Sequence, residues 1–515
     1  KAAFRLNVDY KVNKWINFGV NTSYALTKSE REDGNFTEFI TRTPLAKVYE
    51  EDGTYTKYIN SANDVNPLYR AQNYNREIKN NSYRVNLFLE LKPFKGFNYR
   101  LNTSFYNRQQ EDGEAKKTDY PGGGATAKLA NNEKRSYLIE NIFTYDVPFR
   151  DKNHKLVLTA VQSVDHTQSK ELGYSTASLP VDMGWDFIAN GEFSGKPVRT
   201  FSENNLVSFM GRASYTLMDK YIMNIAVRRD GSSRFGKNNK WGTFPSIALA
   251  WRINQEEFLR NVSWIDNLKL RFGYGVTANT SINPYQTKGL LSKKYYNYGE
   301  NMVIGYTSSS LPDKTLTWET TGQWNVGVDF SFFRGRLSGT VDAYLQNTHD
   351  LLLDRQFPAV SGYTSVLTNV GKTRNKGIEV SLSTVNIQNK DFTWSTDFMY
   401  STNKEEIVEL YNGKVDDIGN SWFIGEALGV YYDYKKIGIW QDTPEHLAEI
   451  EQYNKNGHKF APGMIKLLDI DGNHKITADN DRMILGQTRP KHIFNLSNTF
   501  VYKGFDLNVV LYGTL

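Results

Sequence analysis

The sequence predicts an all-β protein, a large antiparallel transmembrane β-barrel of about 16 strands. Apolar and polar residues alternate with a period of two along many long segments, and the connections between those segments are alternately short and long. Aromatic residues make up 14% of the chain, although hydrophobic residues reach only 39% and the mean hydropathy is −0.56. A polar chain rich in tyrosine is typical of a barrel with a wet interior and an aromatic girdle outside.

The first hairpin shows the alternation most clearly. Phe4, Leu6 and Val8 fall on one face of the first predicted strand, and Arg5 and Asn7 fall on the other. A tight turn then leads into a second strand that again has one apolar and one polar face. Because successive side chains of a strand point to opposite faces, each such segment offers one face to lipid and one to water.

The same pattern continues to the end of the chain. Strand boundaries are predicted to within about two to four residues. The predicted strands span 4–12, 16–26, 83–91, 97–105, 136–147, 155–164, 205–217, 220–230, 243–253, 267–277, 319–332, 336–347, 374–385, 392–401, 491–503 and 505–513.

The connections between these strands carry the strongest signal. In an up-and-down barrel every second connection lies at the same rim, so the alternation predicts one rim of tight turns and one of elaborate loops, as in outer-membrane barrels. Short connections are predicted at 13–15, 93–96, 148–154, 218–219, 254–266, 333–335, 386–391 and 504. Long connections are predicted at 27–81, 107–135, 165–204, 231–242, 278–318, 348–373 and 402–490. The last is too long for a simple loop, and we expect a helical turn or two at 443–453.

Composition narrows the functional classes. The net charge of +6 arises from 62 basic and 56 acidic residues spread along the chain, so no nucleic-acid partner is expected. The chain has no cysteine and therefore uses neither disulfides nor thiolate metal sites. No apolar run reaches the roughly 18 residues of a transmembrane helix. The first residues begin directly in a strand pattern, so we expect no signal peptide there.

Several distinctive runs occur from about residue 205 onward. The most specific is Arg-Arg-Asp-Gly-Ser-Ser-Arg-Phe-Gly at 228–236, followed by Trp-Gly-Thr-Phe-Pro-Ser at 241–246. Further runs are 268–275, 318–321, 369–372, 375–379, Gly486 with Pro490, and 502–507. In this order they resemble the SusC-like (SusC/RagA-like) family of TonB-dependent outer-membrane transporters.

The resemblance implies a barrel of about 22 strands, filled by an N-terminal plug and covered by a SusD-like surface lipoprotein. It implies TonB-energised import of a glycan, oligosaccharide or peptide across the bacterial outer membrane, with two transporter–lipoprotein pairs side by side. We interpret residues 1–515 as the barrel portion, and we expect the plug, the TonB-contacting part and the C-terminal strands outside them. If these residues were the whole protein, an unplugged pore would be the better interpretation.

One loop has oxygen-bearing residues at the spacing of a calcium site. Calcium prefers six to eight oxygen ligands, and an Asp-x-Asp-x-Asn start places three on one tight loop. His474 stands where glycine is usual, and no bidentate glutamate follows. A solvated turn held by side-chain-to-backbone hydrogen bonds is the alternative. The candidate ligands are Asp469, Asp471, Asn473, the carbonyl of Lys475, Asp479 and Asp481.

Aromatic residues in the long connections are candidates for substrate contact. Such rings stack on sugars or hold peptide side chains, but they also pack locally or anchor barrels at the membrane interface, and the sequence leaves these alternatives open. The candidates are Tyr295, Tyr296, Trp422, Tyr431 and Tyr432.

No catalytic constellation is predicted, and calcium is the one cofactor under consideration. Gly371-Lys372-Thr373 resembles the end of a phosphate-binding loop, but Val366 stands where that motif requires glycine. The chain lacks cysteine and a Gly-x-Ser-x-Gly turn, and its seven histidines are scattered. The remaining alternatives are a siderophore or cobalamin receptor, a passive porin, and a soluble carbohydrate-binding β-protein.

Overall fold

The computed structural model describes residues 1–33, 36–43, 45–59, 64–357, 359–363 and 365–515. Most of this chain forms one 17-stranded antiparallel sheet, accompanied by four two-stranded sheets. Among the described residues, none of the helices has both the length and the hydropathy needed to cross a membrane.

The strands and helices are numbered in chain order. The strands are β1 (Ala2–Lys11), β2 (Ile16–Arg31), β3 (Tyr74–Leu91), β4 (Phe97–Lys116), β5 (Thr126–Val147), β6 (His154–Ser178), β7 (Glu192–Phe193), β8 (Val198–Leu217), β9 (Tyr221–Ser232), β10 (Trp241–Arg252), β11 (Ile265–Asn279), β12 (Leu291–Tyr298), β13 (Asn301–Ser308), β14 (Glu319–Phe332), β15 (Leu337–His349), β16 (Leu352–Gln356), β17 (Ser365–Asn369), β18 (Lys372–Gln388), β19 (Phe392–Glu409), β20 (Val430–Tyr434), β21 (Lys436–Ile439), β22 (Ile465–Leu467), β23 (Arg482–Gln487), β24 (His492–Tyr502) and β25 (Phe505–Thr514). The α-helices are α1 (Phe36–Ile40), α2 (Pro67–Gln72) and α3 (Pro444–Lys455), and short 3₁₀ helices span Trp185–Asn190, Ile253–Gln255, Gln286–Lys288, Ala359–Ser361 and Ile418–Asn420.

The large sheet is a meander in which successive long strands pair antiparallel. The smaller hairpins β12–β13 and β16–β17, and the sheets β20–β23 and β21–β22, all lie in long connections. Each of the predicted strands overlaps one strand of the large sheet, and the two-residue β7 is the additional member. The predicted antiparallel barrel architecture is therefore confirmed. In the described part of the chain, β1 pairs only with β2 and β25 only with β24.

The register of the strands places residues of the same kind opposite each other across the whole sheet. Phe4 lies opposite Tyr24 and Val8 opposite Val20, whereas Asn7 lies opposite Asn21. Residues directly opposite in a ladder share a face, so apolar residues meet on the outer face and polar residues on the inner face. A shift of one residue would turn every apolar side chain inward, which is why the apolar pattern specifies the register.

Exposed aromatic side chains form two bands on the outer face. The inner aromatic band lies at the rim of short connections and comprises Trp15, Phe94, Phe149, Tyr221, Trp264, Phe333, Tyr502 and Phe505. The outer aromatic band comprises Tyr24, Tyr83, Phe105, Tyr137, Phe209, Trp241 and Trp324. The bands are about ten residues apart, which at roughly 3.3 Å per residue and a tilt of about 40° is a rise of about 25 Å. That rise is close to the roughly 25 Å apolar belt of outer-membrane barrels.

The predicted boundaries of six strands were too short by seven residues or more. The strands β3, β4, β5, β6, β8 and β19 have 18, 20, 22, 25, 20 and 18 residues, and they extend well past the lipid-facing part of the wall. Above that part both faces of the sheet are in water, so the apolar alternation disappears although the ladder continues to the Tyr74–Lys116 pair. The long connections between these strands are correspondingly shorter than predicted.

Apolar cores are found in the long connections, because the apolar face of the barrel wall points toward lipid. One core comprises Ala115, Ala125, Ala127, Leu179 and Trp185, a second comprises Phe235, Ile282, Leu316 and Trp318, and a third comprises Trp440, Ile450 and Tyr453. The long connections are therefore packed structures, and the rim that they form has fixed side chains to present.

Candidate functional site

The inner face of the wall carries paired charges. Arg271 on β11 contacts Asp329 on β14 at 2.7 Å and Asp342 on β15 at 2.9 Å, and Lys269 contacts Asp329 at 2.5 Å. Gly327 lies directly beside Arg271 and Asp342, where any side chain would collide with them. The inner face is thus hydrated and charged but locally neutral, as expected for a polar lumen.

Three further arginines also lie on this face. The Arg84 guanidinium lies 5.0 Å from the Tyr106 ring, and Arg100 lies 4.2 Å from the Phe88 ring. Arg212 donates a hydrogen bond to Asn224 at 3.1 Å. These contacts are made along the wall, so the arginines line the lumen without closing it.

Three of the runs that suggested a family, 228–236, 318–321 and 369–372, meet in one packed structure at the rim of long connections. Phe235 is 2% exposed and packs against the Trp318 ring at 5.1 Å. Arg234 donates to the carbonyl oxygens of Thr280 and Ile282 at 3.0 and 2.9 Å. We call this packed region, formed by 231–242, 278–318, 348–357, 359–363 and 365–373, the loop collar.

Asn369 joins two parts of the loop collar. Its Oδ1 accepts a hydrogen bond from the Thr317 amide at 2.7 Å. Its Nδ2 donates to the carbonyls of Thr317 and Asp350, both at 2.9 Å. Gly371 has φ +88°, and a side chain there would press on the Glu409 carbonyl, so the glycine is needed. The sequence landmarks therefore serve to hold the outer loops in place.

The longest connection folds as a small domain that contains β20–β23, β21–β22 and α3. The helical turns expected at 443–453 are present as α3, which Thr443 caps by accepting from the His446 amide at 3.4 Å. Trp440 packs against the Tyr453 ring at 5.7 Å. This domain, 410–491, carries both the acidic loop and three of the predicted aromatic residues.

The acidic loop gathers three carboxylates. Oxygens of Asp469, Asp471 and Asp481 lie within 4.8 Å of one another, and Asp481 is 0% exposed. Asp481 accepts hydrogen bonds from the Ile470 amide at 2.9 Å and the Thr477 amide at 2.7 Å. Asp481 is therefore placed where it could close a calcium shell, one position beyond the place where a standard calcium loop has its last carboxylate.

The other predicted calcium ligands are not all close to these three carboxylates. The Asn473 side-chain oxygen accepts from the Lys475 amide at 2.7 Å, and Asn480 donates to Asp471 at 2.8 Å. Asp479 is not part of the three-carboxylate cluster. His474 has φ +57°, the backbone conformation for which glycine is usual. The donor set of hard oxygens suits calcium, with Asp469, Asp471 and Asp481 as the residues that would hold it.

Charge in this loop is stabilised by its backbone. Burial raises the pKa of Asp469, but hydrogen bonds from the amides of His474 and Gly472 and from the Tyr453 hydroxyl outweigh burial and hold that pKa below its usual value of 3.8. The carboxylate is consequently ionised at neutral pH, as a metal ligand must be.

The predicted substrate aromatics lie in two connections. In the 410–491 domain, Tyr432 packs against Phe423 at 4.7 Å and beneath Arg482 at 4.9 Å, whereas Tyr431 is exposed. Trp422 is half-buried in a turn with Asp417. Local packing thus occupies Tyr432, while Tyr431 presents a free ring.

Tyr295 and Tyr296 lie on the exposed β12–β13 hairpin and, as neighbours on a strand, point to opposite faces. Tyr296 covers Gly305 on the paired strand. Lys293 and Lys196 lower the pKa of Tyr295, so the hairpin lies near the connection between β6 and β8. The structure does not bring these two rings to a common site.

A basic cleft beside the loop collar was missed by sequence reasoning. Its lysines come from two connections and form no run of basic residues, so the fold alone assembles them. The one local signal is that Arg228 and Arg229 must point to opposite faces of β9.

Comparison with known proteins identifies the group to which the barrel belongs. A family model described as TonB dependent receptor-like, beta-barrel matches residues 6–512. The chain belongs to this TonB-dependent receptor family. The receptor barrel is 34% identical over 473 residues to TonB-dependent receptor P3 of Formosa agariphila, an alignment that covers 88% of this chain and 46% of that protein. It is 32% identical over 355 residues to TonB-dependent receptor SusC of Bacteroides thetaiotaomicron, covering 64% of this chain and 34% of SusC.

Solved structures agree on the fold. The receptor barrel superposes on the RagAB peptide transporter with a TM-score of 0.80 at 22% identity, covering 99% of this chain and 57% of that one. The predicted SusC-like resemblance and the outer-membrane location are confirmed. The chain spans about half the length of the curated relatives that it matches.

Proposed function

We propose that the intact receptor imports a large nutrient, a glycan, oligosaccharide or peptide, across the outer membrane. The observation that carries this proposal is the family match over residues 6–512. The 32% identity to the SusC relative agrees with it. The fold shared with the RagAB peptide transporter supports it. No catalytic step is part of the proposal.

The wall and the loop collar have separate tasks in this proposal. Inter-strand hydrogen bonds satisfy the backbone within lipid, and the inner face offers a hydrated path. The loop collar, fixed by Phe235, Trp318 and Asn369, presents the outer loops in a defined arrangement. Substrate waits above the lumen until a plug is displaced.

Residues 1–515 serve as the barrel portion in this proposal. The intact transporter also contains the remaining strands, a plug on which TonB acts, and a SusD-like lipoprotein lid. Two transporter–lipoprotein pairs lie side by side in the membrane. Calcium in the acidic loop would stabilise the 410–491 domain and take no part in chemistry.

The exposed ring of Tyr431 is the best placed of the predicted substrate contacts, because Phe423 and Arg482 hold its neighbour Tyr432 against the domain. Trp422, Tyr295 and Tyr296 are secondary contacts. A stacked aromatic contributes about 0.5–1.5 kcal/mol beyond its buried area, so Tyr431→Ala would weaken binding several-fold, and Tyr431→Phe would retain it.

The test is purification of the tagged, intact receptor from outer membranes in detergent, with mass spectrometry of the co-purifying proteins. Recovery of a SusD-like lipoprotein, together with uptake that stops when TonB is deleted, supports the proposal. Uptake that persists without TonB, with steady conductance in planar bilayers, would indicate a porin. Binding of iron chelates or cobalamin without a lipoprotein would indicate the siderophore or cobalamin class.

A further inference from the structure

A cleft of about 640 Å³ beside the loop collar is lined by cations from separate connections. Lys237 and Lys240 come from the connection between β9 and β10, and Lys288 and Lys314 come from the connection between β11 and β14. Glu203 on β8 is the acidic residue in its lining. The cleft therefore carries a strong net positive charge.

The cleft opens on the outer face of the wall. Phe201 and Phe209 on β8 are both 49% exposed, and Phe209 stacks on Trp241 at 6.3 Å in the outer aromatic band. Glu203 and Asn205 fall on the same face of β8, because side chains alternate along a strand. Both residues line the cleft, so the wall of the cleft that β8 forms lies on the lipid side of the sheet.

The aromatic residues next to the cleft show its level relative to the membrane. Lys240 directly precedes Trp241 of the outer aromatic band. On the outer face Arg229 lies over the Trp241 ring, with its guanidinium 5.6 Å from the ring centre. Aromatic bands lie at the membrane interface, so these cations lie at the level of the lipid headgroups.

The cations of this cleft have no acidic partners. Within the described part of the chain, Arg229 and the four cleft lysines form no ion pair. Several other cations on the outer face above the band are paired, such as Lys79 with Glu111 at 3.3 Å and Arg135 with Glu133. Unpaired cations gathered at one place indicate an external anion.

The cleft is built by fixed backbone contacts. Ser233 accepts from the Asn205 amide at 2.8 Å and donates its own amide to the Asn205 carbonyl at 3.0 Å. The Tyr285 hydroxyl accepts from the Glu203 amide at 3.2 Å. A side chain on Gly236 would approach the Lys314 carbonyl to 2.8 Å, so the two connections are in close contact.

We propose that this cleft binds the phosphate of an outer-leaflet lipid headgroup. Lysine ammonium groups bind phosphate as point charges, and clusters of basic residues at a membrane surface recognise anionic lipids. The neutral donors Asn205 and Ser233 at the cleft add hydrogen bonds to phosphate oxygens. The inference uses the outer-membrane location and is independent of the imported substrate.

The test uses the intact receptor in detergent micelles with monophosphorylated lipid A as the probe, and native mass spectrometry counts the lipid retained. The charge variant carries Lys237→Gln, Lys240→Gln, Lys288→Gln and Lys314→Gln. The matched control carries Lys28→Gln, Lys79→Gln and Arg135→Gln, which remove paired cations of the same face. Four Lys→Arg changes keep the charge and check that the cleft folds.

We expect the charge variant to bind the lipid at least tenfold more weakly, while the control and the arginine variant bind as the parent does. Dephosphorylated lipid A should bind the parent and the charge variant equally weakly. Equal binding of both lipids by the parent would overturn the proposal. Inorganic phosphate that displaces the lipid at equal concentration would also overturn it, because the site would then take free phosphate.

Discussion

At the residue scale, Asp481 shows how a single carboxylate organises a loop. It is fully buried and accepts hydrogen bonds from the amides of Ile470 and Thr477, so it fixes both ends of the acidic loop. A buried carboxylate that lost these partners would be costly. The Asp481 carboxylate also lies close to the carboxylates of Asp469 and Asp471. A bound cation would relieve the repulsion between these three like charges.

Calcium is expected to stabilise the 410–491 domain. Addition of about 1 mM Ca²⁺ should slow hydrogen exchange at 469–481 in the intact receptor, and chelator should reverse the effect. Asp471→Asn should abolish the response, because it removes one of the three clustered charges. Asp479→Asn, outside the cluster, is the control and should preserve the response. If calcium does not change the exchange rates of the parent, the acidic loop is a solvated turn and not a calcium site.

Acid should loosen the same loop at a defined pH. The pKa of Asp469 is held below 3.8 in the folded loop, so its hydrogen bonds are fully present above that value. Their contribution is lost as the pH falls from 3.8 through the lowered pKa, because the protonated side chain accepts hydrogen bonds poorly. The protection of the amides at 469–476 against hydrogen exchange, relative to the intrinsic exchange rate at each pH, should therefore fall below about pH 4. An Asp469→Asn variant should lack this pH step, and a step of equal size in it would refute the assignment.

At the element scale, the loop collar explains why several short runs look alike across a family. Arg234 and Phe235 lie far from Trp318 in the sequence, yet all three belong to the same packed region, and Asn369 joins a further connection to it. Each connection alone has too few apolar residues for a core. Their mutual packing gives the outer rim its order.

Replacing Asn369 should loosen the loop collar without affecting the wall. Asn369→Ala removes three hydrogen bonds and leaves the Thr317 amide and two carbonyls without partners. The expected cost is about 1–3 kcal/mol, expressed locally. Hydrogen exchange should rise at 315–319 and 350–352 and stay unchanged at 265–277. Asn389→Ala, at a short connection on the opposite rim, is the matched control and should leave the collar protected.

The six strands that were predicted too short show where the sequence pattern stops marking a strand. Apolar alternation marks a strand only where one of its faces meets lipid, and it stops at the outer aromatic band. The Tyr74–Lys116 end of the β3–β4 ladder has water on both sides, so its residues resemble a loop in sequence. Only the continuing ladder reveals the strand.

At the scale of the whole molecule, the two rims must lie on opposite sides of the membrane. Short connections such as 503–504 belong to the inner aromatic band, and the β12–β13 hairpin with its turn at 299–300 belongs to the opposite rim. Outer-membrane barrels have short turns in the periplasm and long loops outside. The cell surface therefore carries the loop collar and the basic cleft.

An epitope tag tests this orientation directly. A tag between Gly299 and Glu300 should be labelled by antibody on intact cells, because the hairpin tip projects into water. A tag between Lys503 and Gly504 should be labelled only after the outer membrane is permeabilised. Labelling of the second tag on intact cells, with equal expression of both proteins on immunoblots, would reverse the assigned orientation.

The sequence by itself determined the strand order, the alternation of faces and the asymmetry of the rims. These features are local, because a period of two and the length of a connection can be read without knowing any neighbour. It also located α3 and the acidic loop, whose capping and spacing signals lie within a few residues. The family runs added the class of receptor.

The tertiary structure alone decided which distant residues meet. It brought the buried Asp481, and not Asp479, next to Asp469 and Asp471, separated the exposed Tyr431 from the packed Tyr432, and gathered lysines of two connections into one cleft. Side chains from different connections are brought together by the register of a long sheet and by loop packing. Those long-range contacts leave no periodic trace in the sequence, which is the physical reason that they had to be seen in three dimensions.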